Sequence, residues 1–312
     1  MLANEFPHHP LEARQITNII NQARKNARED VERLGGDVNA VLTDLRQRNE
    51  AGEGWSYHIR LDDSQTLVAL WWQSNAQARL GKRYSDILLN DNSYNRNQYG
   101  YPLNIGIAID GFGVSRNIWY SFHATEDLET HAWVYQRHLE STGCEPDVLY
   151  TDRHPTLIRA AADVFPLTSH MFCLYHMKSN VVTNLRRTLS SCWDQFLVDF
   201  WAIYRAVSPW DFDRQWNDLL AKYPDARDYL EHELYPCRHQ WAWAWVSQTF
   251  TAGCRTTGRA EVENRMNKAI TGPKKTLLGL YHALNERTAH QSEQELVRVR
   301  DVCFFLSLSE IH

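Results

Sequence analysis

The 312-residue chain carries a formal net charge of −5, and 43% of its residues are hydrophobic. This composition predicts a packed globular protein and excludes a surface that is basic throughout, so DNA would have to be bound through local patches. The chain has neither an apolar run long enough to span a bilayer nor the layout of a signal peptide, and we expect a soluble, intracellular protein with no membrane partner.

Residues 1–82 predict an amino-terminal helical and hairpin region. Apolar residues spaced by three and four positions between residues 11 and 49 indicate two or three short helices. Two apolar, β-branched runs at 57–61 and 67–72 flank the turn-prone Asp62-Asp63-Ser64 and predict a β-hairpin. A short helix is expected to follow, from Ser74 to about Leu80.

Residues 83–177 predict the first part of an α+β core. Strand patterns at 86–91, 103–109 and 118–123 are joined by short connections, which is typical of an antiparallel meander. Two further strands, at 148–152 and 170–174, are each reached through a helix. This order predicts the RNase H-like fold, a mixed five-stranded sheet with flanking helices.

The remainder of the chain is predicted to be helical. Large aromatic residues at helical intervals indicate an all-helical insertion over residues 178–252, with Trp193, Phe200, Trp201 and Trp216 mainly buried. Trp241, Trp243 and Trp245 could stack on bases, but such aromatics more often pack a core. Residues 253–312 are expected to complete the RNase H-like core with one more helix and a carboxy-terminal helical tail.

Two aspartates follow apolar strand patterns. Asp91 ends the run 86–91, and Asp152 ends the run 148–152. Ligands gather beyond the carboxyl ends of parallel strands, and hard divalent cations prefer carboxylate oxygens. An aspartate after a strand is commonly only a turn former, so the pair indicates a metal site more strongly than either residue alone.

The last predicted core helix carries two acids, Glu261 and Glu263, on opposite shoulders of an apolar stripe, and periodicity does not choose between them. Asn264, Arg265 and Lys268 share the face of Glu261. That face could approach a phosphate backbone, although a solvated helix side is the common alternative.

Three blocks of the sequence resemble Mutator-like element (MULE) transposases and the related far-red-impaired-response plant regulators, over roughly residues 55–275. Asn90-Asp91-Asn92-Ser93-Tyr94 is similar to the family's Asp-Thr-Thr-Tyr segment, with Asn-Ser in place of Thr-Thr. Tyr150-Thr151-Asp152, followed by the Cys-x-x-His element of Cys173 and His176, is similar to the family's second-aspartate block. Residues 256–261, with Asn264, are similar to the family's glutamate block.

The resemblance implies a DDE-type DNA transposase. It assigns Asp91, Asp152 and Glu261 as the catalytic metal ligands for two Mg²⁺ or Mn²⁺ ions, and it favours Glu261 over Glu263. It further implies cleavage at transposon ends and strand transfer, with double-stranded DNA (terminal inverted repeats and target) and further copies of the chain as partners. The protein would be nuclear if eukaryotic.

Other residues receive accessory roles from the same resemblance. Cys173, His176 and Asn264 are expected near the site, although packing alone could explain the first two. Arg259, Arg265 and Lys268 are candidate DNA contacts.

Two other functions stay open. The first is a domesticated, non-catalytic DNA-associated regulator that keeps the fold, as the plant relatives suggest. The second is an RNase H-like nuclease without strand transfer, which the helical insertion and the Cys-x-x-His element make less favourable. Zinc modules that the family often adds are not evident, which is expected of a fragment or a decayed copy.

Overall fold

The computed structural model describes residues 36–64, 66–260, 262, 263, 265, 272 and 275–309, and the isolated positions 15, 18 and 22; over 301–309 it describes the backbone alone. The helices predicted between residues 11 and 35 therefore fall almost wholly outside the described residues. Glu261, Asn264 and Lys268 also lie outside them.

The described elements alternate strands and helices before a long helical segment. The strands are β1 (Ser56–Leu61), β2 (Leu67–Gln73), β3 (Ile87–Ser93), β4 (Leu103–Ile109), β5 (Ser115–His123), β6 (Val148–Thr151) and β7 (Ser169–Phe172). The helices are α1 (Asp37–Glu50), α2 (Asn75–Arg83), α3 (Leu128–Thr142), α4 (Pro155–Val164), α5 (Leu174–Leu189), α6 (Trp193–Tyr204), α7 (Pro209–Lys222), α8 (Arg227–Tyr229), α9 (Trp243–Val246) and α10 (Leu277–Ser309). A π-helix, Leu230–Leu234, continues α8.

All seven strands form one mixed sheet in the order β1-β2-β5-β4-β3-β6-β7. The strands β3, β6 and β7 pair in parallel, and the other neighbours pair antiparallel. The α+β class with a mixed sheet and flanking helices is confirmed. Five strands were too few, because the hairpin β1–β2 adds to the sheet through β2 and β5. The run Leu67–Gln73 is almost continuously apolar and buried on both faces, which is typical of an inner strand with neighbours on each side.

Successive residues of the strands face two separate cores. Leu89 packs in a cluster with residues of α1 and α10, whereas Leu88 packs in a cluster with residues of α3 and α4. This alternation follows from the two-residue period of a β-strand. The sheet is therefore covered on both faces, and its open sides are the ends of its strands.

The segment from α5 to α9 is helical, as expected for residues 178–250, and it contains no strand. Trp193, Phe200, Trp216 and Trp241 are buried in its own core, and Trp201 is partly buried there. The indole of Trp241 donates to the Leu234 carbonyl at 3.0 Å, so this tryptophan packs rather than stacks on bases. The limits of the predicted domains, and the role of this segment as an insertion, stay predictions.

Two strand boundaries differ from those expected in ways that affect the site. The strand β3 runs on to Ser93, so Asp91 lies within it and pairs with Ile105 instead of ending the strand. The strand β7 ends at Phe172, and Leu174 already begins α5. None of the described helices is long and apolar enough to cross a membrane.

Candidate metal and nucleic-acid site

Asp91 and Asp152 line one pocket at the edge of the sheet. Leu89 of β3 pairs with Tyr150 of β6 in parallel register, and each aspartate lies two residues farther along the chain, Asp91 within β3 and Asp152 just after β6. The pocket is lined by Asn90, Asp91, Asn92, Tyr94, Glu126, His131, Asp152, His154, Leu157 and His176. The structure thus brings together the two aspartates that the strand patterns predicted.

Asp152 is largely buried in this pocket. Its Oδ1 has almost no exposed surface and no hydrogen-bond partner among the described residues. Burial raises the pKa of Asp152, while the nearby His176 and His154 act in the opposite direction. A buried carboxylate oxygen without a donor is costly unless a cation or water satisfies it, which makes Asp152 chemically suited to holding a metal ion.

A third carboxylate, Glu126, lines the same pocket and was missed in the sequence. It precedes Asp127, whose side chain caps α3 by accepting from the Thr130 amide at 2.8 Å, so the sequence here indicates a helix start. What brings Glu126 to the pocket is the direction of strand β5. Because β5 runs antiparallel to β4, and β4 antiparallel to β3, the carboxyl ends of β3 and β5 lie at the same edge as that of β6.

In the Cys-x-x-His element, Cys173 lies in the interior and His176 lines the pocket. The buried Cys173 sulfur accepts hydrogen bonds from the Thr257 amide at 3.2 Å and from the Thr257 hydroxyl at 3.1 Å. His176, one turn later, lines the pocket. Interaction with the Cys173 sulfur raises the pKa of His176 to about 9 against the effect of burial, and the charges of Asp91 and Asp152 add to this.

The remaining predicted residues lie away from the pocket or outside the described chain. Glu263 is buried, and its carboxylate accepts from Arg287 at 2.6 Å and from Asn117 at 3.2 Å. Arg259 donates to the Gly113 carbonyl at 2.7 Å, and Arg265 is exposed. The choice of Glu261 as the third ligand stays a prediction. Within the described ranges, no three histidine, cysteine or acidic side chains form a preassembled metal-binding group.

The segment that carries the pocket is similar to a known class of domain. Residues 87–180 match the family model described as "MULE transposase domain", and this segment contains every residue that lines the pocket. The resemblance to MULE transposases is thus confirmed over this segment, which includes the blocks of Asp91 and Asp152.

Its curated relatives are plant proteins of Arabidopsis thaliana. Protein FAR1-RELATED SEQUENCE 7 is 25% identical over 251 residues, which cover 80% of this chain and 32% of the relative. Protein FAR-RED IMPAIRED RESPONSE 1 is 23% identical over 290 residues, covering 92% of this chain and 34% of the relative. Protein FAR1-RELATED SEQUENCE 5 is 26% identical over 250 residues, covering 78% and 31%. The chain spans about one third of the length of these relatives.

Proposed function

We propose that this chain carries the catalytic domain of a DDE-type DNA transposase with an RNase H-like core. The supporting order of elements is three antiparallel strands, β3 to β5, followed by β6 and β7, each reached through a helix. The observation that carries the proposal is the shared pocket of Asp91 and Asp152, with an unpartnered, buried Asp152 oxygen.

The donor set fits Mg²⁺ or Mn²⁺, because both prefer carboxylate oxygens and the pocket contains carboxylates from β3 and from the end of β6. Asp91 and Asp152 would hold the two ions, with Glu261, which the sequence assigns to the last core helix, as the third acid. Bound there, such ions activate water and stabilise the attacking and leaving oxygens of a phosphodiester.

The chain's own residues have separate tasks in this proposal. Asp91 and Asp152 provide the negative charge that fixes the cations at the sheet edge. His176, cationic at neutral pH because its pKa is raised, offers a positive charge beside them for a phosphate oxygen. The partners would be double-stranded DNA, namely terminal repeats and target, and further copies of the chain. The protein would be nuclear if eukaryotic.

A nicking assay tests this function. Supercoiled plasmid is incubated with the wild-type chain in Mn²⁺ or Mg²⁺, and conversion to open circles is followed. Asp152→Asn should reduce nicking at least about 100-fold, because small changes at such a site are costly to rate. Asp163→Asn, an exposed change on α4, is the matched control and should nick normally. Equal nicking by the two variants would refute the catalytic assignment.

A second candidate, a non-catalytic DNA-associated regulator derived from a transposase, is favoured by the relatives. The name of one, FAR-RED IMPAIRED RESPONSE 1, refers to a far-red response, and the names of the other two reported relatives relate them to FAR1; none of the three names refers to a transposase. This function predicts that the chain binds duplex DNA, that no nicking occurs in either metal, and that Asp152→Asn leaves DNA affinity unchanged. An electrophoretic mobility assay run beside the nicking assay therefore separates the two functions.

A further inference from the structure

Glu126 is the acidic residue of the pocket that the proposed triad does not use. It is half-buried and follows β5, whereas Asp91 lies in β3 and Asp152 directly follows β6. Glu126 and Asp152 both line the pocket, so their carboxylates border the same space.

The Glu126 carboxylate is held by donors from the block that carries Asp91. The Tyr94 hydroxyl lies 2.8 Å from both Glu126 oxygens, and the Asn92 amide donates to Oε1. Burial and the Glu126 charge raise the pKa of Tyr94, so its hydroxyl keeps its proton and remains a donor. Asn92 and Tyr94 thus connect the loop before α3 to the strand of Asp91.

A buried network behind the strand fixes the orientation of this connection. Asn104 donates through Nδ2 to Asn92 Oδ1 at 2.8 Å, so Asn92 Nδ2 must face Glu126. Asn104 Oδ1 in turn accepts from Trp119 Nε1 at 3.0 Å and from Asn90 Nδ2 at 3.0 Å. In each of these asparagine side chains, both the amide nitrogen and the amide oxygen have a hydrogen-bond partner, which stabilises a single orientation of the amide.

We propose that Glu126 is an outer-shell carboxylate of the cation pocket, acting on the metal through the water that the ion retains, and that Tyr94 and Asn92 position it for this task. Mg²⁺ keeps several waters when one or two carboxylates bind it, and those waters need acceptors. Loss of an outer-shell partner typically lowers metal affinity about 10- to 100-fold. The inference rests on the proposed function, since it concerns the same pocket.

Mn²⁺ affinity of the full chain tests the proposal without recourse to activity. Free Mn²⁺ is measured by electron paramagnetic resonance during titration of the wild type, Glu126→Gln, Glu129→Gln and Asp152→Asn. Glu129→Gln is the matched control, because it removes the same charge three residues later, where the side chain is exposed and outside the pocket. We expect Glu126→Gln to weaken binding at least about 10-fold, Glu129→Gln less than twofold, and Asp152→Asn most of all.

A double-mutant cycle tests the positioning role of Tyr94. Tyr94→Phe removes the hydroxyl and keeps the ring, so it should weaken Mn²⁺ binding in the wild type and have no further effect beside Glu126→Gln. A purely structural role of Tyr94 would instead lower the melting temperature equally in both backgrounds and leave Mn²⁺ affinity unchanged.

The possible failures of the proposal are distinguishable. Equal affinities of Glu126→Gln and Glu129→Gln, with binding lost in Asp152→Asn, would overturn the role of Glu126 and leave the proposed function intact. Undiminished binding in Asp152→Asn, or no binding by the wild type, would overturn both.

Discussion

Replacing Gly106 with alanine should destabilise the sheet behind the pocket. Gly106 of β4 pairs with Trp119 of β5, and a Cβ at this position would lie 2.2 Å from the Trp119 ring. Carbon atoms in contact are normally about 3.5–4.0 Å apart, so the indole would have to move by more than about 1 Å. Trp119 is fully buried, with the His138 ring 4.5 Å away, and has little room for such a movement.

The expected cost combines two effects. Overpacking a buried site costs about 1–3 kcal/mol. Displacement of the indole also breaks its hydrogen bond to Asn104, at about 1 kcal/mol. Gly106→Ala should therefore lower the free energy of unfolding by about 2–4 kcal/mol. Because Asn104 orients Asn92 towards Glu126, Mn²⁺ affinity should fall as well.

Urea unfolding followed by tryptophan fluorescence measures this loss. The matched control is Gly111→Ala in the turn that follows β4, where an added Cβ would meet only the Tyr84 ring at 3.9 Å, an ordinary contact distance. Both changes restrict the unfolded chain alike, so their difference isolates the clash with Trp119. Equal midpoints for the two variants would refute the reasoning. Trp119→Leu should cost less beside Gly106→Ala than alone, since the two sites share one space.

Three further predictions concern buried charges and a buried histidine. Burial lowers the pKa of His138 to about 3, so between pH 6.5 and 3 this histidine is protonated in the unfolded chain but not in the folded one. Stability should therefore fall as the pH drops through that range, and the melting temperature of His138→Phe should depend less steeply on pH. Asp110→Asn should cost about 3 kcal/mol in urea unfolding, because it leaves the buried Arg116 without its ion pair, and an unchanged midpoint would contradict this. Glu263→Gln should cost about 2 kcal/mol of stability and preserve nicking. Glu261→Gln should abolish nicking with an unchanged melting temperature. The reverse pattern would make Glu263 the metal ligand and Glu261 the structural residue.

The strand patterns predicted the two aspartates because the relevant information is local. Each apolar run ending in an aspartate predicts a strand. The chain reverses direction from β3 to β4 and again from β4 to β5, and a helix then precedes β6, so that β6 runs parallel to β3. Parallel strands have their carboxyl ends at one edge, so Asp91 and Asp152 had to meet there. The position of Asp91 inside β3 could not be predicted in this way, because the strand continues through the polar residues Asn92 and Ser93 by pairing with β4.

Glu126 was not predictable from local pattern. The residues around it have the composition of a helix cap, and its place in the pocket depends on the order of strands in the sheet. Only when β4 is placed between β3 and β5 does β5 end at the same edge as β3. The same reasoning applies to the hairpin. Its two strands were predicted, but the pairing of β2 with β5 depends on residues distant in the sequence that bury both faces of β2.

The Cys-x-x-His element illustrates how one short motif can connect two distant parts of a site. Cys173 follows β7 at the same sheet edge, and its sulfur accepts two hydrogen bonds from Thr257, 84 residues later in the chain. Thr257 lies four residues before Glu261 in the sequence. His176 is directed to the pocket that contains the two aspartates. Because Cys173 is the N-cap residue of α5 and His176 lies in the first turn of that helix, one element holds both the contact with Thr257 and the imidazole that lines the pocket. The spacing of three residues between cysteine and histidine is therefore explained by helix geometry and does not require a zinc ion.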